Sequence, residues 1–294
     1  MMKVAIYGQY YKSEDRPYVI ELIQKLEHHQ VDFYFEEQYF SFLKLEIQVN
    51  NPKTFKSYED LDNSFDFMIT IGGDGTILRA VTFIRELSIS VVGINTGRLG
   101  FLATVQKDEI SENINLLLEK NFILNNRSLL SISSHPAIDS IDSLNFALNE
   151  VSLSRKNTAS MITVATYLDN EYLTSYWADG LIIATPTGST GYNLSCGGPI
   201  ITPKAKSFAL TPIAPHNLNA RPLVIPDETD FKFKVTGRED EFFLSLDSRI
   251  TSVPVNTEIH VKKADFQLSI VQFKEQTFIK TLREKLLWGQ DPRN

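Results

Sequence analysis

Cysteine is nearly missing from this chain: Cys196 stands alone among 294 residues. One thiol permits no intrachain disulfide and no cysteine-built structural metal centre, and it fits a reducing compartment. Positive charge is also short. Lys and Arg number 29 against 36 Asp and Glu, a net charge of −7, which argues against a general nucleic-acid or anionic-membrane surface. No apolar run reaches membrane-spanning length. The N-terminus, Met1 to Tyr7, carries no signal-peptide core and passes straight into a strand pattern, so a cytoplasmic protein is expected. Several catalytic signatures are absent too. There is no Gly-x-x-x-x-Gly-Lys-Ser/Thr phosphate loop, no paired-histidine zinc motif and no Gly-x-Ser-x-Gly elbow.

What the chain does contain is a strand, a glycine turn and a helix start in quick succession. Phe65 to Ile71 is a short, mostly apolar run that reads as a strand buried on both faces. It breaks at Gly72-Gly73, passes Asp74, breaks again at Gly75 and resumes at helical spacing with Ile77, Leu78, Val81 and Ile84. Unpaired amides at a helix start favour anions, and glycines admit a phosphate closely. An acid there repels a bare phosphate, so Asp74 must serve differently, by accepting a hydroxyl proton, holding a cation or gripping a ribose. The bland alternative is a tight turn with Asp74 as an N-cap. Gly73-Asp74-Gly75 is not a dinucleotide fingerprint, because Leu78 fills the third glycine position.

The first half alternates strands with helices. Lys3 to Gly8, Val31 to Phe35, Phe65 to Ile71 and Ser90 to Ile94 read as strands. Helices fall at Val19 to Leu26, after the turn, and at Ile110 to Leu118. This implies a parallel sheet with ligand-binding loops at its strand C-termini. One such loop is Asn95 to Leu102. From Leu129 onward the chain reads as short strands with turn signals between them, an all-β domain of two packed sheets. A final helical pattern places Ile279, Leu282 and Leu286 on one face, which is expected to return to the α/β half. The organisation expected is therefore an N-terminal Rossmann-like α/β domain over 1–124, a C-terminal two-sheet β domain over 125–272, and a returning helix over 273–294.

Three stretches of the second half carry chemistry. Asn149-Glu150 interrupts the apolar run Phe146 to Leu153, either as a ribose or base clamp or as a β-bulge or an exposed edge. Asp179-Gly180 precedes a buried strand that opens into Thr185-Pro186-Thr187-Gly188-Ser189-Thr190-Gly191-Tyr192, a loop of hydroxyls and free amides. His216 sits in a proline-bounded loop.

Taken together and in order, Gly72 to Thr76, Asn149-Glu150, Asp179-Gly180, Thr185 to Tyr192, Pro215-His216 and Ala220-Arg221-Pro222 resemble the NAD kinase family. Asn95 to Leu102 and Leu282 to Trp288 belong to the same match. The resemblance implies transfer of the ATP γ-phosphoryl group to the 2′-hydroxyl of NAD's adenosine ribose, giving NADP. It implies a divalent cation, Mg²⁺ brought with ATP, and no protein metal site. It also implies a dimer or tetramer whose site lies between the domains. Asp74 matches the family's proton acceptor. Asp74, Gly75, Arg79, Asn149, Glu150, Asp179, Thr190, Gly191, Tyr192, Asn193, Leu194, Ser195 and Ala214 match NAD-contacting positions.

Three departures stand out. Gly191 replaces an alanine, Trp177 stands where many relatives carry arginine, and Asp247-Ser248-Arg249 replaces an Asp-Gly-Gln type turn, so no ligand role passes to Arg249. The competing readings are a lipid kinase of the diacylglycerol or sphingosine type, which shares the Gly-Gly-Asp-Gly-Thr turn and the two-domain order, and a non-catalytic NAD(P)-binding regulator.

Overall fold

A computed structural model describes residues 1–157 and 160–287. The chain divides into two compact units, Met1–Asn126 with the chain from Leu268 onward, and Arg127–Gln267. Trp288 lies outside the described residues.

The first unit is built on a parallel sheet of β1 (Lys3–Gly8), β2 (Asp32–Glu36), β3 (Lys53–Phe55), β4 (Phe67–Ile71) and β5 (Ser90–Asn95), in the order β5-β4-β1-β2-β3. The end of the long strand Glu258–Gln272 joins beside β5, where Ile270 pairs with Val91. The helices are α1 (Arg16–His28), α2 (Glu37–Leu43), α3 (Asp74–Ile84) and α4 (Ile110–Leu118). Strands β4 and β5 are buried at every position because helices cover a parallel sheet on both faces. The order runs one way through β1, β2 and β3 and the other way through β4 and β5. The switch therefore falls between β1 and β4, where sheets of this kind leave a crevice beyond the strand ends.

Two elements escape the hydropathy pattern. Helix α2 is short, and it is started by Glu36, whose carboxylate accepts from the Gln38 and Tyr39 amides at 3.0 and 2.7 Å. Strand β3 has only three residues. The glycine turn thus follows the fourth strand of the sheet rather than the third. The terminal helix spans Phe278–Leu286 and is started by Thr277, whose hydroxyl accepts from the Lys280 amide. It buries Thr281 and Leu282, while Ile279 is 58% exposed, so Ile279 is not on the buried face that its spacing suggested.

The second unit packs two antiparallel layers. One layer has six strands in the order Leu223–Pro226, Ser207–Ile213, Gly180–Ala184, Glu150–Arg155, Glu241–Leu246, Arg249–Pro254. The other pairs Glu171–Ala178, Ile162–Leu168, Phe231–Thr236 and the start of Glu258–Gln272. Alternation along Phe231–Thr236 and Glu241–Leu246 sends every second residue inward. Val164, Phe231 and Phe233 from one layer meet Leu153, Ile183, Phe208 and Leu244 from the other in a single core.

Candidate active site

Asp74 is the first residue of α3, and the N-cap is Gly73, with no side-chain cap bond. The bland N-cap role is therefore not what this carboxylate does. It reaches instead to the loop after β5: Oδ2 accepts from the Phe101 amide at 2.8 Å, and Oδ1 from the Leu102 and Ala103 amides, each at 3.0 Å. Three consecutive amides fix the carboxylate plane and use three of its roughly four acceptor positions. The same contact explains Gly100, where a Cβ would run into Asp74 Oδ1. Asn95 shapes this loop from its base. Its side chain donates to the Arg98 carbonyl at 2.7 Å and the Ala103 carbonyl at 3.3 Å, and accepts from the Gly97 amide at 2.7 Å.

Within the turn, the backbone demand falls on Gly72, whose φ of +148° disfavours any side chain and whose Cβ would strike the Thr76 hydroxyl. Gly73 and Gly75 carry no such backbone demand. A Cβ on either meets no protein atom within 4 Å, so what they leave open is approach space at the helix start. Arg79 lies exposed on α3, close enough to Tyr7 to act on it electrostatically.

Lys285 is a residue that sequence reasoning misses. Its spacing puts it away from the apolar face of the last helix, yet its Nζ lies 4.0 Å from Asp74 Oδ2 and 5.0 Å from the centre of the Phe101 ring. Phe278 of the same helix approaches Phe101 at 6.0 Å. No local pattern announces such a contact, which joins residues 211 positions apart.

In the second unit, the apolar run around Asn149 is two strands, Phe146–Ala147 and Glu150–Arg155, with a break between them. Glu150 is buried and Asn149 half-buried. Asn149 Oδ1 and Glu150 Oε2 are both buried without a hydrogen-bond partner. Such orphans are costly unless something supplies donors. Burial first, and the Asp247 charge second, push the Glu150 carboxyl up to about 8, while the Tyr192 amide pulls it back. Gly191 lies directly over this pair. An added Cβ would sit 3.1 Å from Glu150 Oε2 and 3.4 Å from Asn149 Nδ2.

The hydroxyl loop folds onto the same place. Thr185 donates to the Leu148 carbonyl at 2.6 Å and accepts from the Gly188 amide at 3.1 Å. Thr190 turns back onto the Thr187 carbonyl. Tyr192 opens the short helix Tyr192–Ser195 and is 45% exposed, Leu194 is half-buried and Ser195 is exposed. Asn193 is fully buried. Its side chain donates to Ser189 and Pro199 carbonyls and accepts from the Thr211 hydroxyl at 2.6 Å, so it holds the loop's shape.

Asp179 pairs with Arg155 at 2.9 Å, and its amide donates to the Ile213 carbonyl. That bond brings it beside Ala214, an exposed residue with φ of +43°. Trp177 stacks on His216 with centroids 4.2 Å apart. Cys196 is half-buried, and burial raises its thiol, as expected of a packing residue. Arg249 donates to the Leu144 carbonyl at 2.6 Å and to the Phe146 carbonyl.

Among the described residues no three His, Cys, Asp or Glu side chains cluster as a metal site. Nor, among them, is any helix long and apolar enough to cross a membrane.

Residues 9–122 match the ATP-NAD kinase N-terminal domain family, and residues 148–273 the ATP-NAD kinase C-terminal domain family. An NAD kinase of Flavobacterium johnsoniae is 53% identical over 294 residues, covering all of both chains. An NAD kinase of Christiangramia forsetii is 54% identical over 299 aligned positions, again across both chains. Among solved structures, an NAD kinase from Archaeoglobus fulgidus in complex with ATP superimposes with a TM-score of 0.75 at 27% identity, covering 97% of this chain and 99% of that one. Yeast NADH kinase complexed with NADH shares the fold at a TM-score of 0.88 and 24% identity, covering 99% of this chain and 89% of that one.

Proposed function

We propose that this chain, which belongs to the NAD kinase family, transfers the γ-phosphoryl group of ATP to the 2′-hydroxyl of the adenosine ribose of NAD. The bond from the ribose oxygen to the γ-phosphorus forms, the bond from that phosphorus to the bridging oxygen of the β-phosphate breaks, and ADP leaves. The hydroxyl proton goes to Asp74. A ribose hydroxyl ionises far above neutral pH, so it needs a positioned acceptor to become a nucleophile.

The observation that carries this reading is the seat of Asp74. Three loop amides hold its carboxylate rigidly at the N-terminus of α3, beside the switch point of the sheet. Phosphoryl transfer is mostly positioning and charge neutralisation. The free amides of α3 and the Lys285 ammonium supply part of that neutralisation. The divalent cation, Mg²⁺ in this proposal, comes as part of the donor and shields its phosphate oxygens.

Asn149 and Glu150 serve as the acceptor clamp, because their orphaned oxygens require the kind of donors that ribose hydroxyls provide. Gly75, Arg79, Asp179, Thr190 to Ser195 and Ala214 complete the NAD contacts. For Asn193 the contact is assigned to the backbone, since its side chain is engaged within the loop. We place the reaction in the cytoplasm, on the ground of the lone Cys196, and in a dimer or tetramer, as the family resemblance suggests.

Incubation with NAD and ATP-Mg²⁺, followed by a coupled NADP assay, tests the proposal. NADP formation that depends on the divalent cation is expected. NAD binding without NADP under any donor would replace it with a binding-protein role, and light scattering checks the assembly.

A further inference from the structure

Asp247 fills the two-residue turn between strands Glu241–Leu246 and Arg249–Pro254 and has φ of +53°. That backbone favours Gly, Asn or Asp, so the turn accepts this residue, and what remains to explain is where its carboxylate goes. Its buried carboxylate points into the neighbouring strand break. Oδ2 accepts from the Leu148 amide at 3.0 Å, and Oδ1 from the Asn149 and Glu150 amides at 2.7 and 3.2 Å. The Asp247 amide returns a bond to the Glu150 carbonyl at 3.0 Å, and the Ser245 hydroxyl fixes the turn through the Asp247 carbonyl. The segment is paired toward Gly180–Ala184, where Glu150 faces Ala184 and the Thr185 amide donates to the Asn149 carbonyl, and its three amides go to Asp247. Asp247 thus ties the break to the turn, and the side chains of Asn149 and Glu150 keep their orphaned oxygens for another molecule.

We propose that Asp247 is a positioning residue that holds the Asn149–Glu150 clamp in register for the ribose and keeps the proton of the carboxyl pair on Glu150. The proposal rests on the reading of Asn149 and Glu150 as the NAD clamp. The allocation of the proton follows from the donors. Burial raises the Asp247 carboxyl, but three amides and the nearby Arg249 guanidinium work against that and support its charge, whereas Glu150 Oε2 has no donor. Three other groups face Glu150 from the loop above: the Tyr192 amide, the Tyr192 phenol and the Cys196 thiol. Burial raises both the phenol and the thiol, which leaves them neutral near pH 7. Asp247 is thus the charge that opposes ionisation of Glu150. A clamp acid that is neutral when empty and ionises as hydroxyls bind would couple NAD binding to proton release.

Two variants separate position from charge. Asp247→Asn tolerates the turn and can still accept from the Asn149 and Glu150 amides, but it loses the charge. Asp247→Gly relaxes the turn and loses all three bonds. Carboxyl-carbon NMR of the ligand-free protein, with the signal assigned through Glu150→Gln, is expected to show the Glu150 midpoint at lower pH in Asp247→Asn. Asp247→Gly is expected to raise the KM for NAD about tenfold or more, with a smaller change in kcat, the loss of roughly one well-placed hydrogen bond. If Asp247→Gly does not fold, calorimetry of Asp247→Asn in buffers of different ionisation enthalpy replaces that measurement, and less proton release on NAD binding than in the parent is expected. An unmoved Glu150 midpoint, or an unchanged KM with unchanged proton release, would overturn the proposal. The NMR midpoint is read without substrate, so failure of the parent to make NADP would remove the kinase reading and be recognised separately.

Discussion

Asp74→Asn is the usual test of a catalytic carboxylate, on the premise that an amide keeps its shape and most of its hydrogen bonds. Here that premise fails in a way that can be worked out. With its oxygen toward Leu102 and Ala103, the new amide points NH₂ at the Phe101 amide and at Lys285, donors facing donors. Flipped over, it opposes two loop amides instead of one. An unmet buried amide costs about 1–3 kcal/mol. For a domain of this size that corresponds to roughly 2–4 °C of melting temperature per kcal/mol. Loss of the base itself removes about 10²–10⁴-fold in rate.

The two effects have different signatures. The base term falls on kcat alone, and the seat term lowers the melting temperature and loosens the 100–103 loop. Gly100→Ala isolates the second, because its Cβ displaces the Asp74 carboxylate without removing it. The expected result in a coupled NADP assay with parallel melting curves is a kcat loss of at least about 10²-fold for Asp74→Asn. Gly100→Ala should show a similar fall in melting temperature and a distinctly smaller kcat loss. Turnover of Asp74→Asn within about tenfold of the parent would refute the assignment of this turn as the catalytic centre.

Glu150 makes a prediction about stability. Its carboxyl is raised from 4.5 to about 8 in the folded chain, so the folded state holds the proton more tightly. The stability this contributes is full below pH 4.5 and is lost as pH rises through 8, with a ceiling of about 5 kcal/mol. Glu150→Gln should therefore gain stability over the parent between about pH 6 and 9 and match it near pH 4 in denaturant titrations, and equal curves at both ends would contradict the burial argument. Lys285→Met should lower kcat by about tenfold with NAD affinity unchanged in calorimetry, the worth of one partly exposed cation on a developing charge. Recovery with Lys285→Arg is expected, and parent-like turnover in Lys285→Met would show that the lysine merely covers Phe101.

Two aspartates show what the sequence made legible and what it did not. Hydropathy period and glycine punctuation are enough to find β4, α3 and the turn between them, because those features are set by neighbours along the chain. They are also enough to single out Asp74. Its actual bonds run to residues 27 to 29 positions away, and nothing local to either segment encodes them. Asp247 lies further from its partners, at 97 to 99 positions, and in the sequence it is an ordinary turn residue. Yet the device is the same in both units. A carboxylate takes three consecutive backbone amides, of a loop in the first unit and of a strand break in the second, and so fixes the course of that segment. In the first unit the gripping group is itself the proposed proton acceptor, and in the second it is the support of the acceptor clamp. That difference explains the unequal legibility. A residue acting on a substrate sits in a recognisable turn, whereas a residue acting on a distant backbone segment looks like any other turn residue.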